Sequence, residues 1–280
     1  MTNQKTIMNN PRPYGRGSKL GRLDTNKQWW EKMVEEKCGF TTPWLSLDPA
    51  IVQKVANGKI SPPSPLDIFC PITILKDVKG KDVLCLASGG GQQSAVFGIL
   101  GANVSVIDIA DGQLVGDKKA AEHYGYKVIT VQGSMDDLSA FKDDSFDLVY
   151  QAPSMCYVPS VKKVYQEVAR VLRSGGLYLA DAQNPLAQFV DETSWDGQGY
   201  RVTVPYSVKE KQRAENKNVI EHRHYLSEVF NGLIDSGFVI KKVSELSAMV
   251  FSGGEKVKPG NWLHLGLYLP GMLTILARKK

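Results

Sequence analysis

Three groups of residues have the types and spacing that chemistry requires. The first is the turn Ser88-Gly89-Gly90-Gly91, followed nineteen residues after Gly89 by Asp108. Consecutive glycines leave the backbone bare, so the turn's N–H groups and the helix start after it can face an anionic or carboxylate group. An acid at the tip of a later strand can accept both hydroxyls of a ribose. Turn and acid together predict a nucleoside cofactor. The second group is His222 and His224, which alternate in an expected strand and share a face, with Glu221 turned away from them. They offer a general base or an acceptor-orienting pair, and without a third ligand partner a metal site is not expected. The third is Ser154, Cys156 and Tyr157, just beyond the apolar run Leu148-Val149-Tyr150. Tyr157 either lines the site or opens a packed helix, and Cys156 lacks the activating His/Asp frame of a nucleophile.

The elements that must hold these groups can be read from hydrophobic pattern. Asp82 to Ala87 carries no charge after Asp82 and suits a strand buried on both faces. Gln92 to Leu100 reads as a helix, stopped by Gly101-Ala102-Asn103, and Val104 to Ile107 as a second strand ending in Asp108. A polar helix over Asp111 to Tyr124 carries Leu114, Ala120 and Ala121 inward. Lys127 to Val131 is a third strand, Leu148 to Tyr150 a fourth, and Leu177 to Ala180 a fifth. Before the fifth lies the stripe Val161, Val164, Tyr165, Val168, Val171 at helical spacing, with Ser174-Gly175-Gly176 as its stop. This alternation predicts an α/β protein with a doubly wound parallel sheet. Leu226 to Gly237 is a further helix, and Phe238 to Val243 and Met272 to Ala277 are the last strands.

Outside this rhythm the chain divides into an arm at 1–24, an N-terminal helical cap at 25–74 and a core at 75–280 with an insertion at about 183–224. The cap holds an expected helix over Lys27 to Lys37, started by Asp24-Thr25-Asn26, and another over Pro49 to Val55. Trp29 and Trp30 point about 100° apart on a helix, so one enters the core while the other roofs a pocket or packs under the arm. In the insertion, Tyr200 to Tyr206 alternates as a strand, with Asn218 to Tyr225 returning beside it. That predicts an inserted β hairpin over the carboxyl edge of the sheet.

Composition narrows the function classes. The 280 residues carry 34 basic and 29 acidic side chains, a net charge of +5 spread over the arm, Lys209 to Lys217 and the last three residues. Nucleic-acid binding would want a basic stripe interleaved with aromatics, so no such partner is expected. Cys38, Cys70, Cys85 and Cys156 form no CxxC or Cys/His ligand pattern, and Cys85 in its buried strand and Cys70 in an apolar segment read as inert core thiols. The N-terminal twenty residues lack an apolar block and no run reaches membrane-spanning length, which predicts a cytoplasmic protein with no membrane partner.

Two cofactors compete on the glycine turn alone. A dinucleotide site wants GxGxxG, whereas Gly89-Gly90-Gly91-Gln92-Gln93-Ser94 has serine in the third place. Five segments in order resemble the class I S-adenosylmethionine-dependent methyltransferases, and most closely their ubiquinone-biosynthesis-like, small-molecule group. They are Val83 to Gly91, Asp108, Gly133-Ser134-Met135-Asp136-Asp137-Leu138, Ser145 to Val149 and Arg170 to Gly176. The resemblance implies a Rossmann-like, mostly parallel seven-stranded sheet with an antiparallel last strand. It implies S-adenosylmethionine as cofactor and S-adenosylhomocysteine as product. The cofactor-binding positions it implies are Ala87, Ser88, Gly89, Gly91, Gln93, Asp108, Ile109, Gln113, Ser134, Met135 and Gln151. Two positions depart from the family pattern: Cys85 stands where an acid is usual, and Ala87 replaces the first glycine.

The expected reaction is methyl transfer to an N, O or S atom of a small molecule or short peptide. In-line displacement from a sulfonium gains most from alignment and exclusion of water. His224 and Tyr157 are the candidate catalytic residues, and no metal is expected. The competing readings are a nicotinamide-dependent oxidoreductase and a non-catalytic cofactor-binding module. The former lacks both the third glycine and a TyrxxxLys pair. The acceptor and the oligomeric state are not written in the sequence.

Overall fold

Asp82–Leu86 forms β1, in which Val83, Leu84, Cys85 and Leu86 are each fully buried, as a charge-free run flanked by helices on both sides must be. The computed structural model describes residues 19–69, 71–212, 219–246 and 257–280. Around β1 lie β2 (Asn103–Asp108), β3 (Val128–Gln132), β4 (Phe146–Gln151) and β5 (Leu172–Gln183). The insertion contributes four short strands, β6 (Val190–Asp191), β7 (Arg201–Val202), β8 (Glu210–Gln212) and β9 (Ile220–His222). β10 (Phe238–Leu246) and β11 (Met272–Lys279) are the last strands among the described residues. The main sheet has seven strands in the order β10-β11-β5-β4-β1-β2-β3. β1 pairs in parallel with both β2 and β4, whereas β11 runs antiparallel between β5 and β10. Strand order reverses between β1 and β4, so the crevice at their carboxyl ends is where such a sheet takes a ligand.

Among the described residues the α-helices are α1 (Lys19–Glu35), α2 (Pro49–Ala56), α3 (Gln93–Ile99), α4 (Asp111–Tyr124), α5 (Val161–Val171), α6 (Leu226–Asp235) and the short α7 (Trp262–Leu265). One apolar layer unites α5 and α6 with Leu84, Leu86, Val149, Tyr178 and Ile275. The other unites α2, α3 and α4 with Val83, Cys85, Val106, Tyr150 and Leu179. The five-residue stripe of α5 is buried throughout, and each such side chain stabilises the fold by roughly 1.5–3 kcal/mol relative to exposure.

Two expectations of local structure are corrected. Helix α1 starts at Lys19 and runs through Asp24-Thr25-Asn26, the expected cap, with Asn26 buried. Gly21 weakens a helix by only about 1 kcal/mol, too little to stop it. The arm expected at 1–24 otherwise lies outside the described residues up to position 18. The inserted hairpin is also differently built. Arg201–Val202 pairs with Val190–Asp191, and Ile220–His222 with Glu210–Gln212, giving two small sheets in place of one. β7 stops at Val202, and Pro205, which has no N–H to donate, does not rejoin a ladder. Cys85 and Cys156 are buried and unbridged and Cys38 is half-buried and unbridged, while Cys70 falls outside the described residues.

Candidate active site

The turn after β1 begins at Ala87, whose φ of +46° is left-handed. That costs an alanine roughly 1–2 kcal/mol, which is the physical reason the resembling family prefers glycine there. The three glycine amides that follow Ser88 are all committed. Gly89 N–H donates to Asp108 Oδ2 at 3.1 Å, Gly90 N–H to Asp117 Oδ2 at 3.1 Å, and Gly91 N–H to Asp117 Oδ1 at 3.1 Å. Gly90 N–H also reaches the Gln113 carbonyl at 3.0 Å. The expectation that these N–H groups face an anion on the ligand is thus overturned. The end of β2 and the packing of α4 present one carboxylate each to them instead, Asp108 and Asp117.

Asp108 is buried, and its second oxygen accepts the Ala110 N–H at 3.0 Å. Burial pushes its carboxyl up to about 6, against the pull of those backbone donors. A carboxylate has about four acceptor sites, so a pair of ribose hydroxyls can still be accommodated. Beside it, Gln113 is buried with its Oε1 lacking any hydrogen-bond partner among the described residues. A Cβ added to Gly90 would come within 2.8 Å of that oxygen, and one added to Gly89 would meet Asp108 Oδ2 at 3.1 Å. A buried acceptor without a donor, next to a ribose-type acid over a glycine cradle, fits a nucleoside that brings its own donors.

Three further expected cofactor positions, Ser134, Met135 and Gln151, fall into a second cluster at the ends of β3 and β4. Gln151 is fully buried, donating from Nε2 to Ser154 Oγ at 3.0 Å and to Met135 Sδ at 3.3 Å, while its Oε1 accepts the Tyr178 hydroxyl. Its side chain is therefore spent within the protein. Ser134 donates to Asp136 Oδ1 at 2.6 Å, and Asp136 pairs with Lys163 at 3.2 Å. Ser88 and Gln93 are buried at the turn, and Ile109 follows Asp108 half-buried.

The two candidate catalytic residues meet at the turn Met155–Tyr157 after β4. Tyr157, half-buried, ends that short turn, with its ring edge-on to Trp30 at a centroid distance of 5.8 Å. Trp29 is the tryptophan that enters the core, at 5% exposure. His222 and His224 are both buried, as is Glu221, so the pair does not lie on a solvated hairpin surface. His224 Nε2 lies 3.0 Å from the Met155 carbonyl oxygen and so donates to it. Burial holds the imidazole below its ordinary range. Among the described residues no cluster of His, Cys, Asp or Glu is arranged to hold a metal ion.

Several residues of the site escape sequence reasoning. Glu31 of α1 reaches across to cap α4, accepting the Asp111 N–H at 2.7 Å and the Gly112 N–H at 3.0 Å. The same helix thus meets the start of α4 through Glu31 and the Tyr157 ring through Trp30. Gln92 Nε2 fastens the cap to the turn, donating to the Gly39 and Thr42 carbonyls at 2.7 and 3.0 Å. Replacing Glu31 by alanine is expected to cost about 1 kcal/mol in urea denaturation, the ordinary value of a helix N-cap. Asp117 carries one legible signal: it is three residues from both Leu114 and Ala120, an acid on the inward stripe of α4.

Known proteins share this architecture. Residues 84–180 match the family model described as a methyltransferase domain. The chain is 35% identical over 231 residues to the uncharacterized methyltransferase YbaJ of Bacillus subtilis strain 168, covering 77% of this chain and 87% of that protein. Among solved structures, an S-adenosylmethionine-dependent methyltransferase from Mesorhizobium loti is similar with a TM-score of 0.64 at 24% identity, over 77% of this chain and 99% of the other. The Burkholderia thailandensis 1,6-didemethyltoxoflavin-N1-methyltransferase, solved with 1,6-didemethyltoxoflavin and S-adenosylhomocysteine, is similar with a TM-score of 0.57 at 12% identity, over 95% and 92%. At these identities the two structures speak to the fold.

Proposed function

The chain belongs to the class I S-adenosylmethionine-dependent methyltransferases, and from that premise we propose that it methylates an N, O or S atom of a small molecule or short peptide. S-adenosylmethionine supplies a methyl group already activated on a sulfonium and leaves as S-adenosylhomocysteine. The protein's part is to bind, to align and to exclude water. Asp108 takes the ribose hydroxyls, and Gln113 Oε1 a further donor of the cofactor. Ser134 and the Met135 N–H border the adenine, and the Ala87 and Gln151 carbonyls are offered to the cationic amino-acid end. Ser88, Gly89, Gly91, Gln93 and Ile109 form the walls. Tyr157 and Trp30 close the acceptor side, and the buried, neutral His224 holds the post-β4 turn through Met155 and is the candidate base for an oxygen acceptor.

The commitment of the glycine-turn amides to Asp108 and Asp117 carries this reading. A pyrophosphate needs those donors free and would meet two carboxylates in their place, which disfavours a nicotinamide dinucleotide. A cofactor with no phosphate has no such conflict. Isothermal titration is expected to show S-adenosylhomocysteine binding with a dissociation constant on the order of micromolar and none for nicotinamide dinucleotides. Absence of the first, or tight binding of the second, would refute the assignment. A non-catalytic module would bind the cofactor yet leave it unconsumed with amine, hydroxyl and thiol acceptors alike. No helix among the described residues is long and apolar enough to cross a membrane. With Cys38, Cys85 and Cys156 unbridged and no basic stripe in the sequence, we assign the protein to the cytoplasm, acting on a small acceptor and not on nucleic acid.

A further inference from the structure

Asp117 is an ionisable side chain with no solvent exposure at all, and its hydrogen-bond donors among the described residues belong to the cofactor turn and the helix that follows it. Its Oδ2 accepts the Gly90 N–H at 3.1 Å. Its Oδ1 accepts the Gly91 N–H at 3.1 Å and the Ser94 hydroxyl at 2.5 Å. Three neutral donors converge on one buried carboxylate, with no cation among the described residues to offset its charge, an expensive arrangement to bury for packing alone. The close approach of α4 that permits it is also specific. Gly116, the preceding residue, lies against the turn so tightly that a Cβ added to Gly91 would stand 2.4 Å from the Gly116 carbonyl oxygen.

We propose that Asp117 is a positioning residue for the cofactor, its ionised carboxylate holding Gly90, Gly91 and Ser94 so that the turn is shaped before the S-adenosyl ligand arrives. The inference rests on the cofactor reading above. Its reach is that the cofactor site should respond to the protonation of a group that does not touch the cofactor. A neutral carboxylic acid keeps one oxygen as a donor, and that oxygen no longer accepts a glycine N–H. The titratable groups facing Asp117 are Cys85 from β1, Asp108 from β2 and Tyr126 from the loop after α4. Burial pushes Asp117 up to about 7, above the value of about 6 reached by Asp108, while burial raises the Cys85 thiol and the Tyr126 phenol further. Between about pH 6 and 8 Asp117 is therefore the group of this set that changes charge most.

The test is titration of the full chain with S-adenosylhomocysteine across that range, for the natural protein and for Asp117→Asn. Asparagine is permanently neutral, with one acceptor and one donor, and so imitates the protonated acid. Binding by Asp117→Asn is expected to be about tenfold weaker than wild type at pH 8. The gap should close to within about threefold at pH 6, because wild type then loses what the variant already lacks. Amide exchange in the apoprotein, read over residues 88–94, should be faster in the variant, with α5 unchanged. Equal affinities at pH 8, or a gap that stays constant with pH, would overturn the proposal, as would unchanged exchange over 88–94. If Asp117→Asn does not fold, Ser94→Ala removes one of the three donors and leaves the acid in place. It is expected to shift the pH midpoint of cofactor binding upward, and an unmoved midpoint would count against the proposal. Failure of wild type to bind at any pH would instead sink the cofactor reading itself, and the positioning role with it.

Discussion

Asp108→Ala is expected to abolish measurable binding of S-adenosylhomocysteine, weakening it by at least about 100-fold. Hydrogen bonds to a charged acceptor contribute about 1.5–3 kcal/mol each, and two ribose hydroxyls would lose theirs together. The substitution also removes the acceptor of the Gly89 N–H, one of the bonds that close the turn at 3.1 Å. Asp108→Asn keeps one oxygen acceptor and should fall between the two. Isothermal titration near pH 8, where the carboxyl raised to about 6 is ionised, makes the comparison direct. An alanine variant within threefold of wild type would show that the ribose is held elsewhere.

Gly91→Ala is expected to be the most damaging single methyl group that can be added to this site. Its φ is +77°, which alanine adopts only at a cost of about 1–2 kcal/mol. Its Cβ would also lie 2.4 Å from the Gly116 carbonyl oxygen and 3.1 Å from Ala120 Cβ. The first obstacle is backbone and cannot rotate aside, so overpacking adds about 1–3 kcal/mol or more. The sum, about 3 kcal/mol or above, is a large part of the stability of a typical domain. Gly125→Ala provides the control, since Gly125 has a similar φ of +72° with open space where the Cβ would go. Urea denaturation should find the control losing only about 1 kcal/mol, and equal losses would mean that the contact with Gly116 gives way.

The geometry also supplies a physical account of Cys85. The thiol is buried beside Asp117, whose charge helps to raise it. A carboxylate at position 85 would put two acids into one unsolvated space, and one of them would be forced to stay protonated. A neutral side chain on β1 and an acid on α4 avoid that conflict.

Much of the cofactor half is legible from the order of the residues. Asp82 to Asp108 reads as strand, turn, helix and strand because each element has a local period and a local stop, and these are properties of neighbouring residues. The α5 stripe and its glycine stop are readable for the same reason. Legibility fails where a decisive partner is distant in the chain. Glu31 meets Asp111 and Gly112 across about eighty residues, and nothing in the α1 sequence marks it as a cap for another helix. The insertion defeats a local reading because alternation over Tyr200 to Tyr206 does not say which strand will pair with it, and Val190–Asp191 takes that place.

The sequence by itself determined the layered α/β architecture, the position of the glycine turn and the acid that ends β2. Hydrophobic period, glycine and charge set these locally, whatever the rest of the chain does. Only the tertiary structure decided what the turn's N–H groups would face. Two carboxylates from β2 and α4 fill the space where a phosphate would need donors, because Gly91 and Gly116 let the turn and the helix touch backbone to backbone. That contact joins residues far apart in the chain, and it turns a generic nucleoside turn into one suited to a cofactor without phosphate.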